Sequence, residues 1–342
     1  MHFRTELTPE KLPALIQTDS RIVSVGSCFA EGMGRRLSEN KVEVLNNPFG
    51  TLFNPISISK LLLTVAEAAS GRPAEPDPDL FLERDGLWFH YDFHSSLWGR
   101  SRQELHERLQ ERLLDTGQAL QKADWLLLTL GTAMVYRHIE TGKVVANCHK
   151  MPGFLFEKYL YTYEHIQDTM TGLVRKLKRF NPNLRILLTV SPVRHTKDSL
   201  PLNQVSKSLL RTVSHELTVW QDHVHYFPAY EIMMDDLRDY RFYDADLIHP
   251  NAVAEDYIFQ KFAESAFDNE LRGFIPEWQN IRRAMAHRPL HEGSVSHRRF
   301  LEDLLKRLET VSAKVDVAQE RMEIQRQLTA LNAADPDASQ AA

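Results

Sequence analysis

The chain has 342 residues, of which 43% are hydrophobic and 25% charged, and its formal net charge at pH 7 is −5. These values exclude a disordered chain, a collagen and a disulfide-rich mini-protein. The small acidic excess argues against a dedicated nucleic-acid-binding protein, which is usually strongly basic. Only two cysteines are present, and the sequence shows neither a signal-peptide pattern nor an apolar run of about 20 residues. We therefore expect a cytoplasmic protein without a membrane span.

Short apolar runs alternate with amphipathic stretches along the first 267 residues. The predicted strands are 21–25, 42–45, 125–130, 185–190 and 224–227, and the predicted helices are 29–40, 56–69, 102–121, 161–179, 202–220 and 251–267. Asp85-Gly86 and Thr141-Gly142 each lie between apolar runs, which predicts two hairpins. Strands that alternate with helices predict an α/β fold with a parallel sheet, whose ligands bind at the carboxyl ends of the strands.

The C-terminal part of the chain has a different pattern. We expect one α/β domain over residues 1–290, with an insertion at about 70–100, and an amphipathic helix over residues 297–332. This helix could pack back on its own domain, or it could form a coiled coil that joins copies of the chain into a homo-oligomer. Residues 333–342 are predicted to be disordered. The apolar positions of the helix, at spacings of three and four, are Leu301, Leu304, Leu308, Val311, Val315, Ala318 and Met322.

A potential nucleophile follows the first predicted strand, in the segment Gly26-Ser27-Cys28-Phe29-Ala30. A side chain on a strand-to-helix turn is held at the edge of the sheet, beside the free N–H groups of the helix. A thiol in that position is expected to have a lowered pKa. The alternative is a small cysteine that only fills the joint between strand and helix.

A potential general base follows the last predicted strand. In Asp246-Leu247-Ile248-His249 a carboxylate stands three residues before a histidine. Such a carboxylate can orient the imidazole and stabilise its charged form, which leaves the other ring nitrogen free for a nucleophile.

Together these segments resemble the GSCFA family, named for the pentapeptide Gly26–Ala30, which is similar to a branch of the SGNH/GDSL hydrolase superfamily. The resemblance covers about residues 21–267. It implies a three-layer α/β/α fold with a flavodoxin-like parallel sheet. It also implies an acyl hydrolase or acyltransferase that needs no cofactor and forms a covalent acyl-enzyme with a small-molecule or polymer-linked acyl substrate.

The superfamily's first motif, Gly-Asp-Ser-x-x-x-Gly, assigns the nucleophile by its register. Aligned on Gly26 and Gly32, it implies that Cys28 is the nucleophile, with Ser27 as the alternative. In that register His249 is the general base and then the general acid, and Asp246 orients it.

The resemblance also implies residues that stabilise an oxyanion or bind substrate. The second-motif glycine corresponds to Gly50, whose N–H could act with that of Cys28, although Gly50 could equally be a turn glycine. The third motif departs from the superfamily because Gly131 and Thr132 are followed by Ala133, where the superfamily has an asparagine. Asn147 is the best substitute donor, and the Thr132 hydroxyl is expected near the cleft.

Several neighbouring residues have less specific signals. Cys148 and His149 could join the cluster as zinc ligands, or Cys148 could act as a resolving thiol, but no close-spaced ligand pair is present and we predict no metal site. Arg194 and His195 follow the strand 185–190, where they could bind an anion and line the cleft, or belong to a solvated loop. Two other functions stay open, a catalytically silent binding module and a metal-dependent hydrolase.

Overall fold

The computed structural model describes residues 4–68, 74–291 and 293–334. The described residues form two compact units, of which the first contains those of 20–38 and 43–266 and the second contains those of 39–42 and from Phe267 to residue 334. The N-terminal segment is divided between them, because residues 15–19 belong to the second unit. The C-terminal part of the second unit thus begins at Phe267, before the domain boundary near residue 290 that the sequence predicted.

The described elements follow the predicted alternation. The strands are β1 (Arg21–Gly26), β2 (Glu43–Asn46), β3 (Phe81–Arg84), β4 (Leu87–His90), β5 (Trp125–Leu130), β6 (Met134–His138), β7 (Val144–Val145), β8 (Phe156–Leu160), β9 (Arg185–Val190) and β10 (Val224–Tyr226). The helices are α1 (Cys28–Glu39), α2 (Pro55–Ala68), α3 (Arg102–Lys122), α4 (Tyr163–Phe180), α5 (Leu200–Trp220), α6 (Ala229–Glu231), α7 (Ala252–Ala266), α8 (Asn269–Met285), α9 (Val295–Val311) and α10 (Ala318–Ala334).

A five-stranded sheet forms the centre of the first unit. Its order is β10-β9-β5-β1-β2 and its strands pair in parallel. Read from β2, this is the flavodoxin-like order, in which the chain reverses direction across the sheet between β1 and β5. The predicted fold class is confirmed. All six residues of β5 are buried, as expected for a central parallel strand covered on both faces.

Successive side chains of the central strands point to opposite faces of the sheet. Leu126 and Leu128 of β5 belong to the large core that includes buried residues of α2, α3, α4 and α5. Leu127 lies on the other face with Phe29 of α1 and Phe262 of α7. The sheet is therefore covered by helices on both sides.

Two small sheets are inserted in the first unit. β3 and β4 form the hairpin predicted around Asp85-Gly86. β6 pairs with β7 across the predicted Thr141-Gly142 turn, and also with β8. β8 was not predicted because its sequence, FEKYL, mixes charged and apolar residues.

The prediction of a single helix over residues 297–332 is wrong. The second unit contains α8, which was not predicted, and then α9 and α10 with a break at residues 312–317. Asp316 stabilises the start of α10 by accepting a hydrogen bond from the N–H of Ala318 at 2.9 Å. Residues 333 and 334 belong to α10, whereas the rest of the predicted tail lies outside the described residues.

The apolar seam of the second unit is used within the chain. Leu301, Leu304, Leu308 and Val311 are at most 2% exposed, and α9 packs against α8 and α10. Helix packing within the chain therefore accounts for the α9 part of the seam, whereas Met322 in α10 is 60% exposed. A coiled coil between copies of the chain stays a prediction.

Candidate active site

The turn between β1 and α1 depends on Gly26. Its φ is +154°, and a Cβ atom there would lie 2.3 Å from the carbonyl oxygen of Thr129 on β5. The N–H of Gly26 donates to Oδ1 of Asn47 at 2.9 Å, and the Asn47 amide in turn donates to Oε2 of Glu31 at 3.0 Å. The neighbouring strand end and the first turn of α1 thus hold this loop in place.

The two candidate nucleophiles differ in exposure. Ser27 is fully buried, and its Oγ has no hydrogen-bond partner among the described residues. Cys28, the first residue of α1, is partly exposed and has a free thiol.

The expectation of a lowered thiol pKa at Cys28 is wrong. Burial raises the pKa of the Cys28 thiol above its ordinary value. The backbone N–H groups of Phe29 and of Cys28 itself, and the charge of Lys207, lower this pKa by less. Loss of hydration therefore outweighs the helix terminus, and the thiol is protonated at neutral pH.

Asp246 and His249 form a direct pair in the loop between β10 and α7. Nδ1 of His249 lies 2.6 Å from Oδ2 of Asp246, and Oδ1 of Asp246 accepts the N–H groups of Ile248 and His249 at 2.8 and 3.0 Å. These bonds, first that of the His249 N–H, lower the pKa of Asp246 to about 2. The ionised carboxylate places the imidazole proton on Nδ1, so Nε2 of the neutral ring can accept a proton. The His249 side chain is 43% exposed.

Arg194 holds this loop. Its N–H donates to the carbonyl of Ile248 at 3.2 Å, and its guanidinium donates to that of Leu247 at 3.4 Å. The guanidinium also lies 4.1 Å from the ring centre of Tyr243 and 5.0 Å from that of Tyr240. These contacts hold Arg194, which is partly buried, against the His249 loop. Its predicted binding of an anion stays a prediction.

His195 is held beside the end of β5. Its N–H donates to Oδ1 of Asn203 at 2.9 Å, and its ring makes an edge contact with Phe53. Burial, followed by the charge of Lys207, lowers the pKa of His195 to about 3, and the charge of His249 contributes in the same direction. The His195 ring is therefore neutral at pH 7, and the charges of both Lys207 and His249 favour that neutral form.

The turn after β5, at Gly131 and Thr132, uses its polar groups in hydrogen bonds within the fold. The N–H groups of Gly131 and Thr132 both donate to the carbonyl of Phe53, at 2.7 and 2.9 Å. The Thr132 hydroxyl lies 3.1 Å from Oγ of Ser206 and accepts the N–H of Met134. The Thr132 hydroxyl therefore closes the turn after β5, and its predicted place near the cleft stays a prediction.

Gly50 has the role of a turn glycine in this structure. Its N–H donates to the carbonyl of Asn47 at 2.8 Å, so it is not free for an oxyanion. Its φ is +73°, and a Cβ atom there would lie 2.2 Å from Cβ of His94. Close packing and backbone conformation both require glycine here.

Asn147 and His149 contact the insertion predicted at about residues 70–100, through Ser95 and His90. The Asn147 amide donates to Oγ of Ser95 at 3.3 Å, and its Oδ1 accepts the N–H of His149. The His149 ring lies 3.1 Å from Oγ of Ser95 and 2.9 Å from the carbonyl of His90. Cys148 is a free thiol whose pKa burial raises to about 11. Among the described residues, no group of three or more His, Cys, Asp or Glu side chains is placed to hold a metal ion.

The model of the GSCFA family matches residues 21–262, which is more than half of the chain. The chain belongs to the GSCFA family. The model described as the C-terminal domain of GSCFA domain proteins matches residues 278–330. The family predicted from the pentapeptide at Gly26–Ala30 is thus confirmed, and the second match falls within the second compact unit.

Two solved structures are distantly similar to this GSCFA-family chain. One is a Streptococcus pneumonia protein described as a "putative platelet activating factor", with 13% identity and a TM-score of 0.36 over 72% of this chain and 83% of that one. The other is a Clostridium thermocellum family 3 carbohydrate esterase, with 9% identity and a TM-score of 0.34 over 76% of this chain and 98% of that one. No curated protein matches the chain. None of the described helices combines the length and apolarity that crossing a bilayer requires.

The sequence-based prediction for this GSCFA chain did not include a stripe of buried polar residues on α5. Asn203, Ser206 and Lys207 are spaced as neighbours on one helix face, and each is at most 4% exposed. The sequence signal that could have revealed this stripe is the spacing of these polar residues, which places them on the same helix face as the buried Leu210. Nζ of Lys207 donates to the carbonyls of Gly131 and Ser191, at 2.7 and 2.6 Å.

Proposed function

We propose that this protein is an acyl hydrolase or acyltransferase in which Cys28 carries the acyl group and His249 transfers the proton. The observation that carries the proposal is the 2.6 Å bond between Asp246 and Nδ1 of His249, in a ring whose other nitrogen is left to act as a base. The partly exposed thiol after β1 supports it, because both groups follow strands at the carboxyl edge of one parallel sheet.

The raised pKa of Cys28 favours general-base catalysis over a resting thiolate. In the proposed reaction Nε2 of His249 takes the thiol proton as the sulfur attacks the acyl carbonyl carbon. The tetrahedral intermediate then expels the leaving group, which receives that proton, and a thioester remains on Cys28. Water, an alcohol or an amine attacks the thioester, His249 takes a proton from the attacking group, and the thiol is restored.

The N–H groups of Cys28 and Phe29 are the proposed oxyanion donors. They already act on the sulfur of Cys28, whose pKa they lower. We do not assign this role to Gly50, since its N–H is bonded within the turn. Ser27 is a poor nucleophile in this proposal because it is fully buried.

The test is intact-protein mass spectrometry after exposure to p-nitrophenyl esters and acyl thioesters of increasing chain length. We expect an acyl adduct on the wild type and on Cys148→Ala, which controls for the second thiol. Cys28→Ala should give no adduct, and His249→Ala should form it at least about 100-fold more slowly, as is typical of the loss of a general base. An adduct that requires Ser27 rather than Cys28 would overturn the assignment.

A catalytically silent binding module is the second candidate. Ala133 in place of the superfamily asparagine and the occupied N–H of Gly50 favour it, because both reduce the expected set of oxyanion donors. If folded wild type forms no adduct with any donor in the panel, this candidate replaces the enzyme.

A further inference from the structure

Lys207 is a lysine buried at the end of the sheet. Its side chain extends from α5, the residue is 1% exposed, and Nζ donates to the carbonyls of Gly131 and Ser191. These are the residues directly after β5 and β9, so one amine joins the ends of two adjacent strands. Burying an ammonium group is costly unless it is hydrogen-bonded or paired with a negative charge.

The two hydrogen bonds of Lys207 use only part of its donor capacity. An ammonium group has three N–H donors, and two of them are accounted for by the two carbonyls. The remaining position is a proton when the group is charged and a lone pair when it is neutral. Burial lowers the pKa of Lys207 to about 7, and negative charge on Cys28 raises it.

The strand register places Cys28 at the same edge of the sheet. Gly26 of β1 pairs with Thr129 of β5, and the N–H of Ser27 donates to the Thr129 carbonyl at 3.3 Å, so Cys28 and Gly131 each lie two residues beyond a paired position. The charge of Lys207 accordingly lowers the pKa of Cys28.

The position of Lys207 coincides with the departure from the superfamily's third motif. Ser206, the preceding residue of α5, accepts the N–H of Ala133 at 2.7 Å. Helix α5 therefore contacts this turn through two successive side chains, Ser206 at Ala133, where the superfamily has its asparagine, and Lys207 at Gly131. The turn lacks a side-chain donor of its own at Ala133, and the buried amine is the adjacent source of positive charge.

We propose that Lys207 is a positioning residue of the Cys28 site, whose ammonium group, anchored on the carbonyls of Gly131 and Ser191, stabilises negative charge on the Cys28 sulfur. This inference rests on the proposed function for its purpose, but the interaction itself is a property of the resting protein. The other titratable groups that act on this pair are Glu255, on Cys28, and His195 and Tyr230, on Lys207.

The first test is the rate of Cys28 alkylation by iodoacetamide from pH 6 to pH 11, in a Cys148→Ala background that leaves one thiol. We expect Lys207→Met to slow alkylation at pH 7 by about three- to tenfold, because a nearby positive charge shifts a thiol pKa by up to about one unit in this range. The two rates should converge above about pH 9, because the Lys207 amine, with a pKa of about 7, is itself neutral there. Lys261→Met, which removes a buried lysine paired with Glu6, is the matched control and should leave the profile unchanged.

The second test needs no substitution at Lys207, and so it holds if Lys207→Met does not fold. Cys28 is alkylated either with iodoacetate, which leaves a negative charge, or with iodoacetamide, which leaves a neutral amide. The Lys207 amine is then titrated by NMR in protein with ¹³C-labelled lysine. We expect a higher Lys207 pKa in the carboxymethylated protein.

Equal Lys207 pKa values in the two adducts, or an unchanged alkylation profile in folded Lys207→Met, would overturn the inference. Neither measurement involves acyl transfer. A protein that forms no acyl adduct can therefore still show the Lys207 effect, and one that forms the adduct can lack it.

Discussion

At the scale of single residues, the proposed mechanism makes Cys28 depend on His249, because burial keeps the thiol protonated. A thiolate formed in advance would need its histidine mainly as a counter-ion, whereas a neutral thiol needs a base at the moment of attack. Asp246 suits the second case, since its ionised carboxylate would stabilise the imidazolium that the proposed proton transfer creates.

The Asp246 carboxyl is expected to titrate near pH 2 in a ¹³C NMR experiment. Its pKa is lowered on folding, so its stabilising contribution is complete above about pH 4 and is lost as the pH falls through about 2. In His249→Ala the pKa should rise but stay below 3.8, because the backbone N–H bonds of residues 248 and 249 remain. A pKa of 3.8 or above in the wild type would contradict this geometry.

Gly26 is the residue whose substitution the site tolerates least. In Gly26→Ala the new Cβ would lie 2.3 Å from the Thr129 carbonyl at a φ of +154°, and we expect a loss of about 3 kcal/mol or more in urea unfolding. Gly172→Ala is the control. It lies inside α4 with open space around it, and it should stabilise the protein by about 0.5–1 kcal/mol.

At the scale of elements, the His249 loop is held from outside by the segment after β9. Arg194 contacts this loop by two hydrogen bonds and by its stacking on Tyr243. Leu247 in the loop has a φ of +57°, a conformation that a leucine rarely adopts. We infer that the Arg194 contacts help to keep this strained backbone in place.

Arg194→Ala should loosen residues 244–250. We expect their amide hydrogens to exchange about tenfold faster, in line with the loss of roughly 1–2 kcal/mol of stacking and hydrogen bonding. Arg241→Ala removes an arginine whose side chain pairs with Asp239 on the surface, and it should change this exchange little. If these amide hydrogens exchange at the same rate in Arg194→Ala, the conformation of the loop does not depend on the Arg194 side chain.

At the scale of the whole molecule, the second unit has its own core, in which the α9 seam is buried. Leu308→Ala should destabilise this unit by about 2–5 kcal/mol, because it leaves a cavity at a residue that is 0% exposed. Hydrogen exchange within α8–α10 measures the effect. Met322→Ala, at a residue that is 60% exposed, should leave that exchange nearly unchanged.

The sequence predicted the parts of the fold that local pattern determines. β5 and β9 match the predicted strands 125–130 and 185–190 because continuous apolar runs mark buried parallel strands. α8 was missed because Gly273 and Pro276 interrupt its pattern, and the break after α9 was missed because Val315 continues the seam spacing through it. Within the site, local spacing predicted the Asp246–His249 bond, whereas the roles of Lys207 and Arg194 depend on contacts between distant segments.

The protonated state of the two cysteines has a consequence for chemical probing. Peroxides and general thiol reagents react with thiolates, so both Cys28 and Cys148, whose pKa values are raised by burial, should react slowly with them at neutral pH. Weak labelling in a proteome-wide thiol screen would therefore say little about whether Cys28 is catalytic. A useful covalent inhibitor would have to gain its rate from binding beside Cys28, because the intrinsic reactivity of this thiol is low at neutral pH.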